Sequence, residues 1–260
     1  MGSLTERFNK PLPEWLWGEK QKFFMLIWQS KLMQACKRGD LDAMKVLMIR
    51  YWPFVDDFPE IIRKHQLRIF IREFLRHPVD SLFLLDTVTK VLEEIRGDEW
   101  YHRSLWLDTS NALGLDEKDL YRKEKFYGAP EPEVYKIMQK VGEPVSILGN
   151  GGYLSSTVLF RLAGVEIVAE GISVCLIREF EKISNSAARW FDVHIHHKDG
   201  MMSHEELVYR VAFALDDNLQ KSESGSEYER DEKEAERRKK VVGVIGEVVD
   251  LFIEAGEVPY

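Results

Sequence analysis

The sequence has few cysteines, fewer basic than acidic residues, and no long uncharged apolar run. Its 260 residues include only two cysteines, and 36 lysines and arginines stand against 44 aspartates and glutamates, a formal net charge of −8. Cys36 and Cys175 each lie within an apolar run, which argues against a disulfide framework or a thiolate metal site and predicts buried structural thiols. The acidic balance argues against nucleic acid or an anionic membrane as the main partner, because both require a cationic face.

Signals for export or membrane insertion are also missing. No uncharged apolar run approaches the roughly 18 residues of a membrane span, and the first residues lack the basic-then-apolar order of a secretory signal. We therefore expect a cytoplasmic protein. Its length is sufficient to bury a sizeable core, and we expect residues 1–260 to form a single domain.

The sequence does contain one helical pattern after another. Apolar residues recur at helical spacing over 18–37, 40–52, 59–76, 79–113, 132–141, 153–183, from 185 to an interruption at Gly200, from 204 onward, and over about 240–255. Asp40 is expected to cap the second of these helices and Pro53 to end it. Ser203-His204-Glu205-Glu206 resembles a helix N-terminal cap, with His204 as the first residue of a new helix. Residues 115–134 are predicted to form a connecting loop, and the charged segment at about 220–240 a linker or an exposed helix, followed by a C-terminal packing helix. No strand-like alternation competes, so the predicted fold class is all-α.

Histidine is concentrated in one stretch of the chain. Four of the seven histidines, together with two aspartates, lie between Trp190 and His204. Imidazole and carboxylate ligands suit iron, zinc or manganese, so this stretch indicates a metal site, although a solvated helix end can have the same composition.

Two other helices offer matching ligands. Glu99 and His102 are three residues apart, so both side chains can reach one metal ion from the same face of a helix. Glu166 and Glu170 lie among small and branched apolar residues, where an unpaired carboxylate is costly unless it binds a cation. The simpler alternatives are a surface hydrogen bond for the first pair, and for the second pair a polar stripe with Arg161 or Arg178 as partners.

Several short motifs, taken in order, resemble those of a known superfamily. They are Tyr51-Trp52-Pro53-Phe54-Val55 with Phe58-Pro59, Glu93-Glu94 and Gly97 before His102, Leu105-Trp106, and Ala112-Leu113-Gly114-Leu115. This order is similar to that of the haem-oxygenase-like diiron oxidases and oxygenases, which share their fold with thiaminase II and pyrroloquinoline-quinone synthase. The resemblance covers roughly residues 20–219. It implies a haem-oxygenase-like helical bundle of about seven core helices plus accessory helices.

The resemblance also implies a set of metal ligands from three core helices. The first helix would supply His102 with Glu99 or Glu94, and the second Glu170 or Glu166. On the third helix, Phe191-x-x-His194 matches the entry to the family motif, but Lys198 and Met201 stand where the family has Asp and His. The residue types return at a longer spacing, in Asp199 and His204, with His196 or His197 as substitutes.

The chemistry implied by the resemblance is oxidation by dioxygen at two ferrous ions. The expected substrate is a small-molecule amino acid or amine in a biosynthetic pathway, undergoing C–C cleavage, N-oxygenation, or nitrile or alkene formation, with Arg161 or Arg189 binding its carboxylate. A homodimer is a possible assembly. One alternative is a metal-free thiaminase-like or quinone-synthase-like enzyme that uses His and Glu as acid and base. The other is a non-catalytic helical interaction protein, whose four clustered histidines would lie exposed and apart from Glu99, His102 and Glu170.

Overall fold

A computed structural model describes residues 3–121, 132–143, 155–195, 202–216 and 227–258. Within these ranges the chain is helical and contains no β-strand, which confirms the all-α prediction. The helices are α1 (Leu4–Phe8), α2 (Trp15–Gln29), α3 (Lys31–Lys37), α4 (Leu41–Arg76), α5 (Ser81–Phe83), α6 (Lys90–Ala112), α7 (Glu117–Tyr121), α8 (Pro132–Gly142), α9 (Ser155–Glu181), α10 (Asn185–Ile195), α11 (His204–Leu215) and α12 (Glu227–Glu257). A 3₁₀ turn (Pro78–Asp80) and a π-helical turn (Leu84–Thr89) flank α5.

The long helix α9 lies at the centre of the bundle. It packs against α2, α3, α4, α8, α10, α11 and α12, while α6 packs against α4, α10 and α11. Eighteen of its residues are buried, because apolar side chains occur all around the helix rather than on one stripe. A polar side chain in the buried part of α9, such as Glu166, therefore lies in the interior, where it needs a partner.

The prediction that Pro53 ends a helix is wrong. α4 runs unbroken from Leu41 to Arg76 with Pro53 and Pro59 inside it. A proline removes one backbone donor and crowds the preceding turn, a cost that tertiary packing can offset. Here aromatic side chains on both sides of Pro53 are anchored: Tyr51 stacks on Phe252 at 5.5 Å between ring centroids, and Phe54 meets the same ring edge-on at 5.3 Å.

Other local predictions have mixed outcomes. Asp40 caps α4 by accepting from the backbone N–H groups of Asp42 and Ala43, and Ser203 caps α11. The helix predicted over 18–37 is divided at Ser30, which lies in extended backbone between α2 and α3. The segment predicted as a loop over 115–134 contains α7.

The charged segment near the C-terminus is helical from Glu227 and continues directly into the packing helix. Of the two alternatives, linker and exposed helix, residues 227–240 thus form a helix. Ion pairs support it: Arg237 binds Glu234 one turn earlier, Arg238 reaches Glu19 on α2, and Lys240 binds the buried Asp216.

The single-domain organisation remains a prediction.

The sequence-based expectations about cysteine and membranes can be compared with the structure. Cys36 is buried, and burial raises the pKa of its thiol to about 12, whereas Cys175 is only half-buried. Among the described helices, none has the length and apolar character needed to span a bilayer.

Candidate metal centre

The first two candidate ligands lie on α6. Leu92, Ile95 and Trp106 form a buried stripe on this helix, and Glu99 and His102 occupy the positions between them, which face the interior. His102 Nδ1 lies 3.0 Å from Glu99 Oε1. Burial alone would lower the pKa of His102, but the carboxylates of Glu99 and Asp98 outweigh it and raise the pKa above its usual value.

α10 places the third candidate ligand against this pair. His194 extends the buried stripe formed by Ala187, Trp190 and Phe191, so its imidazole enters the same interior space. Its ring centroid lies 4.3 Å from that of His102. His194 Nδ1 lies 2.7 Å from the carbonyl oxygen of Trp190, and a histidine that donates one ring N–H to a backbone carbonyl can present the other nitrogen to a metal ion.

α11 brings His204 to the same place from a different helix. Its ring centroid is 6.3 Å from that of His102. His204 Nε2 lies 3.0 Å from Asp98 Oδ2, and Nδ1 lies 4.0 Å from Glu166 Oε2. His204 is therefore the first residue of a new helix, as its position after Ser203 predicted, and also a neighbour of the other candidate ligands.

The two acids of α9 have different surroundings. Glu166 is buried, and its pKa is raised well above the usual value by burial and then by Glu99, Glu205 and other nearby carboxylates. Glu170 is partly exposed and accepts a 2.6 Å hydrogen bond from Lys20 Nζ on α2. The partner of Glu170 is thus Lys20 rather than Arg161 or Arg178. Among the described residues, no lysine or arginine pairs with Glu166 in this way.

These side chains form two overlapping groups that could each hold a metal ion. Glu99, His102 and His194 offer ligand atoms that all lie within 4.8 Å of one another, and the same is true of Glu99, Glu166 and His204. Glu99 belongs to both groups, so its carboxylate could help to hold an ion in either one. Two cations would also offset the repulsion that raises the pKa of Glu166, so the residues fit divalent ions with nitrogen and oxygen ligands.

The remaining sequence candidates divide into two sets. Glu94 is exposed on α6 and lines the cavity beside the centre, but it belongs to neither ligand group. His197 and Asp199, like His196, lie outside the described residues.

The structure adds polar residues that the sequence did not suggest. Lys20 also donates a 2.6 Å hydrogen bond to Glu205, which Tyr209 contacts as well. Burial raises the pKa of Glu205 to about 7, although Lys20 opposes the rise. Glu205 had been assigned only to the helix cap after Ser203, and no pattern in the sequence links Lys20 on α2 to α9 or α11.

A polar cavity of about 370 Å³ opens beside the two groups. Six carboxylate residues line it: Glu94, Asp98, Glu166, Glu170, Asp192 and Glu205. Within the described residues, no lysine or arginine lines it. Neither Arg161 nor Arg189, the residues expected to bind a substrate carboxylate, lines it, and Arg189 instead donates to the Tyr101 hydroxyl at 3.0 Å. The volume is in the range typical of small-molecule sites.

Comparison with known proteins identifies the fold. No protein-family model matches the sequence, and a search of curated proteins also finds no match. Among solved structures, the chain is similar to a TenA homolog from Pseudomonas syringae pv. tomato, with a TM-score of 0.63 and 17% sequence identity over 98% of this chain and 97% of that one. At this identity the likeness concerns the fold alone, and it confirms the expected all-helical bundle as TenA-like.

Proposed function

We propose that this protein is a non-haem diiron enzyme that uses dioxygen to oxidise a small amine or amino acid. The observation that carries the proposal is the pair of ligand groups sharing Glu99 in the bundle interior. When bound there, two ferrous ions would supply the electrons for activating dioxygen. Imidazole and carboxylate ligands with open coordination positions suit ferrous iron.

The side chains around the ions have separate tasks in this proposal. Glu99 would help to hold both ions, and the hydrogen bonds of His194 to the Trp190 carbonyl and of His204 to Asp98 would fix the orientation of the two rings. Lys20 would keep Glu170 and Glu205 in place without allowing Glu170 to compete for the metal.

The cavity lining favours an amine over a carboxylic acid as the reacting substrate. Glu94 and Asp192 in its lining are neither candidate ligands of the two groups nor partners of Lys20, and they would attract an ammonium group. Tyr101, which also lines the cavity, could contact that group through the face of its ring. A substrate with an unbalanced carboxylate would meet repulsion there. Dioxygen uptake measured with primary amines and with the corresponding acids tests this preference.

Anaerobic titration with ferrous ion tests the metal centre directly. We expect about two ions per chain and rapid dioxygen consumption on exposure to air. Glu99→Gln should weaken binding of both ions by a factor on the order of 100, whereas the matched change Glu94→Gln, on an exposed position of the same helix, should alter affinity by less than about twofold. A wild-type protein that binds no ferrous ion would contradict the proposal.

A metal-free enzyme of the thiaminase or quinone-synthase kind is the second candidate. The Glu99–His102 pair favours it, because the raised pKa of His102 suits a group that donates a proton to a bound heterocycle. Turnover of a heterocyclic substrate that survives exhaustive treatment with a chelator would select this alternative. The non-catalytic alternative expects the four clustered histidines to lie exposed and apart from Glu99, His102 and Glu170. His194, one of the four, is buried against His102.

A further inference from the structure

A second, smaller cavity, called here the apolar pocket, adjoins the candidate metal centre. It has a volume of about 40 Å³, and its lining includes Glu99, Glu166 and His194. Glu166 and His194 also line the polar cavity. These two side chains therefore lie between a large polar space and a small apolar one.

The rest of the apolar pocket is lined by aromatic and aliphatic side chains. Phe54 and Phe252 meet edge-on with 5.3 Å between ring centroids, and Trp106 and Trp190 do so at 4.7 Å. Val168 on α9 completes the wall on the side of the central helix. Interlocked rings of this kind resist collapse, so the space persists without an occupant.

The size and the chemistry of the apolar pocket together select its occupant. A space of this volume holds one small molecule. Apart from Glu99, Glu166 and His194 its walls are aromatic or aliphatic, and surfaces of that kind bind apolar atoms or gases such as xenon. It is too small for an organic substrate, which needs a site of about 300 Å³ or more. The polar cavity has that volume.

We infer that the apolar pocket binds dioxygen, so that dioxygen and the substrate approach the metal centre from opposite sides of Glu166 and His194. The inference rests on the proposed function for its biological meaning. Binding itself depends only on the shape and the walls of the pocket, so it can be measured without iron.

The first experiment uses the metal-free protein under dioxygen pressure, where paramagnetic broadening of methyl NMR signals reports where the gas resides. The methyl signals of Val168 and Ile172, which line the pocket, should broaden more than those of Val248 and Val249, which are equally buried but lie elsewhere. Crystals pressurised with xenon should show the atom in the same place. Equal broadening at all four residues, or ordered water in the pocket, would overturn the inference.

The second experiment fills the pocket. Ala169 on α9 is half-buried and lines the pocket, so Ala169→Leu places a larger side chain there without disfavouring the helix. We expect the selective broadening to disappear, and the second-order rate of the ferrous protein with dioxygen to fall by about tenfold with ferrous affinity unchanged. Val174→Leu, at an exposed position of the same helix, is the control.

The outcomes separate this inference from the proposed function. If the wild-type protein binds no iron but shows selective broadening, the proposed function fails while the gas site stands. If Ala169→Leu loses the broadening yet reacts with dioxygen at the wild-type rate, the pocket is not the route to the centre and the inference fails. Ala169→Val provides a smaller change should the leucine variant not fold.

Discussion

Two buried glutamates, Glu73 on α4 and Glu166 on α9, have opposite electrostatic surroundings. Glu73 accepts a 2.5 Å hydrogen bond from the Ser155 hydroxyl and pairs with Arg76 at 3.1 Å and Arg72 at 3.4 Å. Within the described part of the chain, the basic side chain beside Glu166 is His204, at 4.0 Å, and the charged groups that most raise the pKa of Glu166 are carboxylates. The first carboxylate is stabilised by the protein itself, and the second requires an added cation or a proton.

The largest expected effect comes from adding metal. Ferrous ion at about 100 times its dissociation constant should stabilise the fold by about 2.7 kcal/mol per site, or roughly 5 kcal/mol for two sites. Anaerobic urea unfolding measures the gain. The full gain should persist in Glu73→Gln and fall by about half in Glu166→Gln, because Glu166 belongs to one of the two ligand groups. A gain of equal size in both variants would show that Glu166 does not bind the metal.

Removing the charge of Glu73 should destabilise the protein by about 3 kcal/mol, because Arg72 and Arg76 would lose the carboxylate that compensates them. This value is at the low end for a broken buried pair, since both arginines are partly exposed. The control Glu60→Gln removes an exposed pair with Arg63 and should change the free energy of unfolding by less than about 0.5 kcal/mol. Urea unfolding of the metal-free proteins gives both values.

Acid should destabilise the fold through His65, which is remote from the metal ligands in the sequence. Burial lowers its pKa from 6.5 to about 4, with Arg68 and Arg161 contributing. Between these values the unfolded chain binds a proton and the folded chain does not, so stability falls as pH drops, by about 2–3 kcal/mol in all. His65→Gln should flatten this part of the pH–stability curve, and an unchanged slope would show that other groups cause it.

The smallest expected effect is a gain. In the metal-free protein at neutral pH, Glu166→Gln should leave stability unchanged or raise it by about 1 kcal/mol, because it removes a buried acid surrounded by other acids. Glu170→Gln should do the opposite, since Lys20 would lose one of its two carboxylates. Thermal unfolding of the two variants, measured beside the wild type, gives both changes in stability. A clear loss of stability in Glu166→Gln would mean that the surroundings of Glu166 already compensate its charge.

Much of the local structure could be predicted from sequence, and the failures have identifiable causes. Features that involve only neighbouring residues can be predicted from the sequence. They include the helix caps at Asp40 and Ser203 and the three-residue spacing of Glu99 and His102. Helix α4 continues through Pro53, where Tyr51 packs on Phe252 of α12 and its hydroxyl donates to the Phe252 carbonyl. These partners are about 200 residues apart in the sequence, so no local pattern reveals the packing that can offset the cost of the proline.

The choice between Glu166 and Glu170 illustrates the same limit within the candidate centre. The two acids are one helical turn apart on a helix that is apolar all round, so periodicity cannot distinguish them. Packing of α2 against α9 decides the question, because it delivers Lys20 to Glu170 and leaves Glu166 with Glu99 and His204.

The sequence by itself determined that the chain is helical and that carboxylates and histidines occur at helical spacing on α6, α9 and α10. Those properties depend on hydrogen bonds and side-chain positions within about one turn. Only the tertiary structure decided which of these residues meet, that Glu99 is common to two ligand groups, and that a polar cavity and an apolar pocket adjoin them. Distances between helices depend on how whole faces pack, and no short-range pattern encodes them.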